Sequence, residues 1–341
     1  MSPLSPIAGV TRLRAFQLGR ESVFKTAVAA TRRMPWSFAP TVNPNWTKPT
    51  ADTGTLDLAL APYRMALDVT GTATGQLFSD DMPTVISAGI MGGLSLTGAS
   101  TAKTITAAPS STTQDVFDTY TGQWFDDATG DAWTAAGGII EQFTLEYPQD
   151  QGPINLSANW RFATVTYPGT PTGSLLVDSN PTPLYCADTY FFVNDTAGAI
   201  GTTQLVDQIY GATLTVNNNI DPKRFANGNS TRFEVQNYGR GERVLDFAWT
   251  FAQATAAIAE SVKWIAASPS ERYAEIRTMS TVAAQSGIPH QLRWRIPGYW
   301  FTRTEQEINT NVGFQLAGQQ VYDATLTYPF QAVSVSTRTS L

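Results

Sequence analysis

The clearest pattern in the chain is an alternation of apolar and polar residues between positions 142 and 162. The apolar set is Phe143, Leu145, Tyr147, Ile154, Leu156, Ala158, Trp160 and Phe162. The polar set is Gln142, Thr144, Glu146, Asn155, Ser157, Asn159 and Arg161. A period of two is typical of strands with one face in the core and the other in water. The pattern therefore predicts a hairpin with one buried face and one wet face.

Similar alternation in the second half predicts further strands. Apolar Ala212, Leu214, Val216, Leu245, Phe247, Trp249 and Phe251 alternate with Thr213, Thr215, Asn217, Asp246 and Thr250. Near the end, Val312, Phe314, Leu316, Tyr322, Ala324, Leu326 and Tyr328 alternate with Gln315, Asp323, Thr325 and Thr327, which predicts a closing hairpin. Helices are predicted at Met82–Met91 and Ala252–Ala267, so each half holds about four strands and one helix.

The two halves also resemble each other in sequence. Thr41–Trp46 recurs 174 residues later as Thr215–Ile220, and the strand-like segment from Val69 recurs from Val244 at an offset of 175. A third match places Gly122-Gln-Trp-Phe125 against Gly298-Tyr-Trp-Phe301, at an offset of 176. Three matches in the same order indicate a duplication. The predicted organisation is an arm over 1–35, a first unit over 36–165, a connecting insertion over 166–206 and a second unit over 207–341.

Composition favours an all-β, non-enzymatic protein. The 341 residues include 26 Gly and 20 Pro, which favour turns, but one Cys and one His. A disulfide within the chain and a Cys/His zinc site are therefore excluded, and a nucleophile triad would have to use His290. His290 is expected to have a structural or surface role, and Cys186 is expected to be a buried thiol. No metal site, cofactor, membrane-spanning segment or secretory signal is predicted, so synthesis in the cytoplasm is expected.

Charge is distributed unevenly along the chain. The net charge is −6, but residues 1–50 carry +6 and leave −12 on the remainder. The cations are Arg12, Arg14, Arg20, Lys25, Arg32, Arg33 and Lys48. The acidic body argues against ordinary nucleic-acid binding, because phosphate affinity needs clustered cations. The basic arm could bind nucleic acid or pair with an acidic neighbouring subunit.

The predicted wet face has an unusual composition. Its residues are Gln142, Thr144, Glu146, Asn155, Ser157, Asn159, Arg161, Thr213, Thr215, Asp246, Gln315, Asp323 and Thr325. Most are short and uncharged, whereas exposed strands commonly carry Lys and Glu. Such a face could simply be solvated, or it could line a water-filled channel.

Three segments of the chain resemble the tail tube (major tail) proteins of long-tailed bacteriophages. Leu18–Ala27 and Ala30–Pro35 are similar to the amino-terminal signature of that family, with Lys25 where the family often has Gly. Ala212–Ile220, followed by Asp221, is similar to its mid-chain strand and turn. The resemblance implies β-sandwich subunits in stacked rings, a polar lumen that conducts double-stranded genomic DNA without specific binding, no enzymatic activity and a place in the virion tail.

Repeat and resemblance together imply two tandem tail-tube β-sandwich domains per chain. Tail tubes of this family are generally six-fold, so three chains would form a pseudo-six-fold ring with a closed inner barrel of about 24 strands. A ring of six chains is the alternative. The cations Arg12, Arg14, Arg20, Lys25, Arg32 and Arg33 and the segment 35–62 would then contact the next ring. Tape measure, tail terminator and tail tip proteins are the further partners that the resemblance implies.

A different class of protein fits some of the same features. A carbohydrate-binding β-sandwich module of a virion or cell-surface protein would also be all-β and would use exposed Trp and Tyr on loops. Trp160, Trp249 and Trp264 are expected in the core, because they lie on apolar faces of the predicted strands and helix.

Overall fold

The computed structural model describes residues 14–48, 61–98, 101–110, 113, 115–126, 130–173, 175, 181–226, 231, 233–308 and 311–338. Strands predominate in this part of the chain, and two α-helices accompany them. The all-β prediction is confirmed.

The described residues of the first half form eleven strands and one α-helix. They are β1 (Arg14–Arg20), β2 (Arg32–Met34), β3 (Ser37–Asn43), β4 (Trp46–Thr47), β5 (Tyr63–Arg64), β6 (Asp68–Gln76), α1 (Met82–Gly89), β7 (Lys103–Ala107), β8 (Tyr120–Asp126), β9 (Ala132–Tyr147), β10 (Asn155–Phe162) and β11 (Thr164–Thr166). The second half contains β12 (Thr189–Asn194), β13 (Ile209–Asn217), β14 (Ile220–Lys223), β15 (Asn237–Arg240), β16 (Val244–Ala252), α2 (Thr255–Ile265), β17 (Arg272–Gln285), β18 (Ile288–Ile308), β19 (Asn311–Gln320) and β20 (Gln331–Ser336).

Eight strands form the centre of one large sheet, in the order β3-β6-β10-β9-β13-β16-β19-β18. The first four come from the first half and the last four from the second, and β9 pairs with β13 where the halves meet. Each set of four has the same layout. In the first set β3 pairs with β6 and the β9–β10 hairpin follows, while in the second β13 pairs with β16 and the β18–β19 hairpin follows. Within one chain this sheet is open.

The long strands β9 and β18 extend beyond this sheet into a second layer. The first part of β9 pairs with β8 and β11, and the first part of β18 pairs with β17 and β20. Both strands contain a bulge, at Glu141 in β9 and at Phe301 in β18, where one residue has no partner on the adjoining strand. A bulge bends the strand and increases its twist.

Apolar side chains from both layers form one large core cluster. Trp160, Trp249 and Trp294 are among its largest fully buried members, which confirms the core prediction for Trp160 and Trp249. Trp264 is partly buried and packs against the same cluster. The two predicted helices are confirmed, with α1 ending two residues earlier than expected and α2 confined to the middle of its predicted range.

The predicted closing hairpin is wrong. Strand β19 ends at Gln320, and residues 324–327 form a turn instead of a strand. The Asp323 carboxylate accepts hydrogen bonds from the Leu326 amide at 2.6 Å and the Tyr273 hydroxyl at 2.9 Å. Thr327 has a left-handed φ of 64°. These contacts stabilise a turn in a segment whose alternation resembles that of a strand.

The predicted arm is wrong for residues 14–34. Strand β1 pairs with β8 along its whole length, and Phe16 and Leu18 are buried in the core. Met34, in β2, is also buried. This segment therefore belongs to the folded subunit, whereas residues 1–13 lie outside the described part of the chain.

The structure also revises two of the three repeat matches. Asn45 and Asn219 do have the same turn: φ is 47° and 45°, and each amide bonds to the side chain two residues earlier at 2.9 Å. Gly122, however, lies on β8, whereas Gly298 lies on β18. The predicted offset of 175 between the segments from Val69 and Val244 is also wrong. An odd offset would align the core-facing residues of β6 with the polar-face residues of β16, so the two strands align at an even offset.

Candidate functional site

The polar residues predicted on β9, β10, β13, β16 and β19 lie on one continuous face. Ser157 stands opposite Thr144, Thr144 opposite Thr215, and Thr215 opposite Asp246. Residues directly opposite each other on antiparallel strands project from the same side of the sheet. The residues two and four positions along these strands project from the same side, and they include the other predicted members, Gln142, Glu146, Asn155, Asn159, Thr213 and Gln315. We call this surface the polar face.

The polar face extends further than the sequence predicted. Register adds Thr70, Thr72 and Thr74 on β6, Ser37, Ala39 and Thr41 on β3, Gln319 on β19, and Thr302 and Thr304 on β18. The sequence predicted β6 as a strand-like segment but did not assign its threonines to the polar face. The core-facing residues of β6 include Gly71 and Ala73, which are too small to give a strong apolar signal. The repeated Thr at every second position was the available signal.

Hydrogen bonds connect neighbouring strands across this face. The Thr144 and Thr215 hydroxyl oxygens are 3.0 Å apart across the β9–β13 junction. Thr72 donates to Asn159 at 2.9 Å, and the Gln319 amide donates to Asp246 at 2.9 Å. These hydrogen bonds hold the short side chains close to the sheet, so the face consists of polar groups that project little above the backbone.

Arg161 is the one cation predicted for this face, and carboxylates surround it. Its guanidinium contacts Glu141 and lies 3.6 Å from Asp68. Arg224 bonds to the same Asp68 at 2.6 Å. Burial raises the pKa of Asp68, but hydrogen bonds from Arg224 and Asn45 and the two positive charges outweigh burial and lower it. Arg161 is therefore already neutralised within the subunit.

Two carboxylates on the polar face have no such partner. Glu146 and Asp246 are both exposed, and neither forms a salt bridge with any residue that the structure describes. Together with the neutralised Arg161, they give this face a negative electrostatic character.

Asp323 and Thr325 do not belong to the polar face. Both lie at the turn that replaces the predicted closing hairpin. Asp323 is buried against Tyr273, while Thr325 is exposed at the turn. The sequence placed them on the face because the segment alternates with a period of two.

Three of the six cations of the predicted stacking set bind carboxylates of their own chain. Arg20 bonds to Asp118 at 3.0 Å, Lys25 to Glu234 at 2.8 Å and Arg32 to Asp81 at 2.9 Å. Arg14 is exposed, Arg33 is half-buried, and Arg12 lies outside the described residues. The charge asymmetry of the sequence therefore reflects pairing within the subunit to a large extent.

Lys25 adopts the left-handed conformation that glycine favours. Its φ is 64°, its amide bonds to Glu21 at 3.2 Å, and its ammonium group bonds to Glu234. A non-glycine residue in this region carries about 1 kcal/mol of strain. The two hydrogen bonds offset that strain, so the turn persists without the glycine common in the resembling family.

The described residues contain no cluster of His, Cys, Asp and Glu able to hold a metal ion. His290 is buried on β18, and Cys186 is a buried free thiol whose pKa burial raises to about 12. Both positions therefore match the structural roles expected from the sequence. Neither described helix is long and apolar enough to cross a membrane.

Comparison with known families gives a match that covers most of the chain. Residues 11–274 match the family model described as phage tail tube protein, which is more than half of the chain. The chain belongs to the phage tail tube protein family. No curated protein matches the chain. Family membership identifies a structural protein of the bacteriophage virion tail and favours that interpretation over the carbohydrate-binding alternative.

Proposed function

We propose that the polar face lines the channel of the tail tube and that the viral genome passes along it during ejection. The observation that carries this proposal is that one face of eight adjoining strands holds mainly short, uncharged side chains, with Arg161 neutralised. The apolar members of this face, Ala39, Ala248 and Ala317, are equally short. Duplex DNA has one charge per about 1.7 Å, and free cations hold it by releasing counterions. A weakly acidic wall binds DNA poorly along its whole length, which suits passage.

We further propose that the chain holds two tandem tail-tube domains. The identical strand layout of the two halves and the matching turns at Asn45 and Asn219 support this duplication. The first domain covers the predicted range 36–165 together with residues 14–34, and the second covers 207–341, with 166–206 connecting them. Residues 14–34 then serve as part of the first domain's outer layer, because β1 and β2 pair there.

Three chains would complete a pseudo-six-fold ring. Each chain supplies the eight strands of its open sheet, so three give an inner barrel of about 24 strands. Closure removes the unpaired sheet edges that otherwise promote aggregation. The apolar side of the barrel would face outward toward the second layer and the helices.

Two small ribbons are the proposed contacts between stacked rings. Strand β4 pairs with β5, and β14 pairs with β15, so that each ribbon is a two-stranded sheet separate from the large one. They follow the matching turns at Asn45 and Asn219. Trp46, on the first ribbon, is 63% exposed. This location replaces the amino-terminal cations as the main stacking surface.

The remaining partners follow from this role. Stacked rings would contact a tape measure protein inside the growing tube and terminator and tip proteins at its ends. Double-stranded DNA would move through the lumen without sequence-specific contacts. The protein would be made in the host cytoplasm and function in the virion tail.

Reversing the charge of the polar face tests the channel assignment. Glu146→Lys with Asp246→Lys places exposed cations on the wall, so tubes should form but DNA ejection from particles should slow or stop. Asp188→Lys is the matched control, because it makes the same change before β12, away from the polar face. Ejection is measured by the release of DNA from purified particles after receptor addition.

Two outcomes would contradict this proposal. Normal ejection by the double variant, at an unchanged salt dependence, would show that the polar face is not the channel wall. Electron microscopy of the purified protein provides the second test, because a failure of the unmodified chain to form rings or tubes would remove the proposed assembly. Native mass of isolated rings distinguishes three chains from six.

A further inference from the structure

The eight-stranded sheet has two edges that no described strand covers. At one end, β3 pairs with β6 alone among the described strands. At the other end, β17 pairs with β18 only as far as Gly298, so one edge of Thr302–Glu307 has no partner in the described part of the chain. Unpaired edges offer backbone donors and acceptors to another strand.

The junction between β9 and β13 provides an internal template for joining such edges. These strands are antiparallel, with Gln142 opposite Asn217, Thr144 opposite Thr215, and Glu146 opposite Thr213. The Thr144 and Thr215 hydroxyls meet on the polar face at 3.0 Å. The junction starts just after the β9 bulge at Glu141.

Strand β18 repeats the features of β9 at a constant spacing. The pairing with β8 ends at Gly138 in β9, and the pairing with β17 ends at Gly298 in β18. The bulges at Glu141 and Phe301 follow each glycine by three residues. Thr302, Thr304 and Gln306 therefore correspond to Gln142, Thr144 and Glu146.

Strand β3 repeats the features of β13 in the same way. The turns at Asn45 and Asn219 have the same φ and the same hydrogen bond, which fixes the alignment of the strands before them. Thr41 thus corresponds to Thr215, Ala39 to Thr213 and Asn43 to Asn217. The pairing of each strand with its neighbour is consistent with this alignment. Ala39 lies opposite Thr72 of β6 and Thr213 lies opposite Ala248 of β16, and these two partners are related by the even offset of β6 and β16.

We propose that the free edge of β18 pairs antiparallel with β3 of the next copy of this chain, with Thr304 directly opposite Thr41 of that copy. Thr302 then faces Asn43 of the next copy, and Gln306 faces Ala39. This inference rests on the proposed tail-tube function and adds the register of the contact that closes the ring. It joins two polar faces into one continuous wall.

Apolar surfaces beside the two edges support this pairing. Helix α2 exposes Ile258, Val262 and Ile265, at spacings of four and three residues, with 50%, 62% and 72% of each side chain accessible. This stripe lies next to Ser261, which accepts a hydrogen bond from Arg303 on β18 at 3.2 Å. It therefore flanks the free edge of β18.

A groove with an aromatic part lies beside β3. It has a volume of about 680 Å³, and its lining includes the aromatic residues Trp36, Phe38, Trp124, Phe125 and Trp133 together with the charged residues Arg14, Asp126 and Asp131. An exposed aliphatic stripe and an aromatic groove next to complementary sheet edges provide the apolar part of one interface. Pairing β18 with β3 of the next copy brings these two edges together.

Cysteine cross-linking tests the register in assembled rings. Thr41→Cys and Thr304→Cys are introduced together with Cys186→Ala, and isolated rings are oxidised and run on a denaturing gel. Directly opposed residues are close enough for a disulfide. We expect most of the chain to run as covalent multimers that end at the closed ring, and reduction should return the monomer.

Two matched variants control for geometry. Ser37→Cys with Thr304→Cys keeps the same face but moves the thiol four residues along β3, by about 13 Å, so cross-linking should be lost. Thr144→Cys with Thr215→Cys should form a disulfide within one chain and stay a monomer. Efficient cross-linking by the Ser37 variant, with none by the Thr41 variant, would overturn the proposed register.

Failure of the register and failure of the function give different results. Rings without a Thr41–Thr304 cross-link would overturn this inference and leave the tail-tube function intact. Absence of rings from the unmodified protein would overturn both. Hydrogen exchange in unmodified rings is the second measurement: amides in 302–307 and 38–43 should exchange more slowly than in dissociated chains, and unchanged exchange would contradict the pairing.

Discussion

Helices α1 and α2 follow corresponding strands in the two halves of the chain, yet their burial differs sharply. Every residue of α1 is buried, whereas only Ala257 and Glu260 of α2 are. Helix α1 contacts β9 of its own half and β20 of the second half. Helix α2 contacts β18 but has no comparable cover from the described residues. One half thus covers the helix of the other, and in the proposed ring another copy would cover the helix of the second half.

A charge in α1 should have the largest effect. Val85 is fully buried in the common core. Val85→Asp should destabilise the subunit by about 4 kcal/mol or more, since it removes apolar packing and buries an unpaired carboxylate. Urea unfolding of the dissociated chain measures this loss. A change below about 1 kcal/mol in the free energy of unfolding would contradict the burial of α1 in the core and with it the difference between the two helices.

The ion pair beneath α2 should give the next largest effect on the subunit. Arg272, which is 1% exposed, donates two hydrogen bonds to Glu260 at 2.8 and 2.7 Å. Glu260→Ala removes both of these bonds and leaves Asp195 as the remaining described carboxylate partner of the guanidinium, so it should cost about 2–3 kcal/mol. The same urea experiment checks it. If the variant is as stable as the parent, α2 is not anchored to β17 by this pair.

A charge on the outer side of α2 should spare the subunit but prevent assembly. Val262 is 62% exposed, so Val262→Asp should change the free energy of unfolding by no more than about 0.5 kcal/mol. Ring formation should nevertheless fall strongly, measured by native mass and electron microscopy. Ala256→Asp, at an exposed position outside the apolar stripe of the same helix, serves as the comparison. Normal rings from the Val262 variant would break the contrast between the helices.

The two threonine positions should separate the inner junction from the free edge. Thr144→Val removes a hydrogen bond within the chain and should cost about 0.5–1 kcal/mol in the dissociated subunit. Thr304→Val should leave that subunit unchanged and lower ring stability toward urea instead. Equal effects of both variants on the dissociated chain would contradict the assignment of Thr304 to an outer edge.

The smallest expected effect is a pH dependence confined to the second half, which holds the chain's one histidine. Burial lowers the pKa of His290, although Asp80 and a backbone hydrogen bond with Val335 oppose this shift. The unfolded chain therefore binds the proton more readily, and stability should fall as the pH drops through about 6.5 toward the lower folded value. His290→Gln should reduce the fall between pH 7.5 and 5.5. An identical fall in both proteins would mean that other groups cause it.

The sequence predicted those parts of the polar face where large apolar residues marked the opposite side. On β9, β10, β13 and β16, residues such as Trp160 and Trp249 gave the alternation its contrast. Strand β6 lacked that contrast because Gly71 and Ala73 occupy core-facing positions. The face could therefore be recognised only in part.

Two errors show where pattern and charge are insufficient. Residues 322–328 alternate like a strand, but hydrogen bonds of Asp323 stabilise a turn, and no periodicity reports such contacts. The cations near the amino terminus suggested a free arm, although Phe16 and Leu18 between them are buried. Net charge describes composition and does not indicate that Arg20, Lys25 and Arg32 each bind a carboxylate distant in sequence.

The covalent continuity across the β9–β13 junction has a consequence for the kinetics of tube growth. A ring of three two-domain chains has six junctions between domains, and every second one is the β9–β13 junction, which forms while the subunit folds. Its effective concentration is on the order of millimolar and does not depend on how much protein the cell has made. Only the alternate junctions require encounters between molecules. The rate of ring nucleation would then depend on about the third power of the subunit concentration. For a ring of six single-domain subunits it would depend on about the sixth power. A ring of three chains can therefore form at the low protein concentrations of early infection.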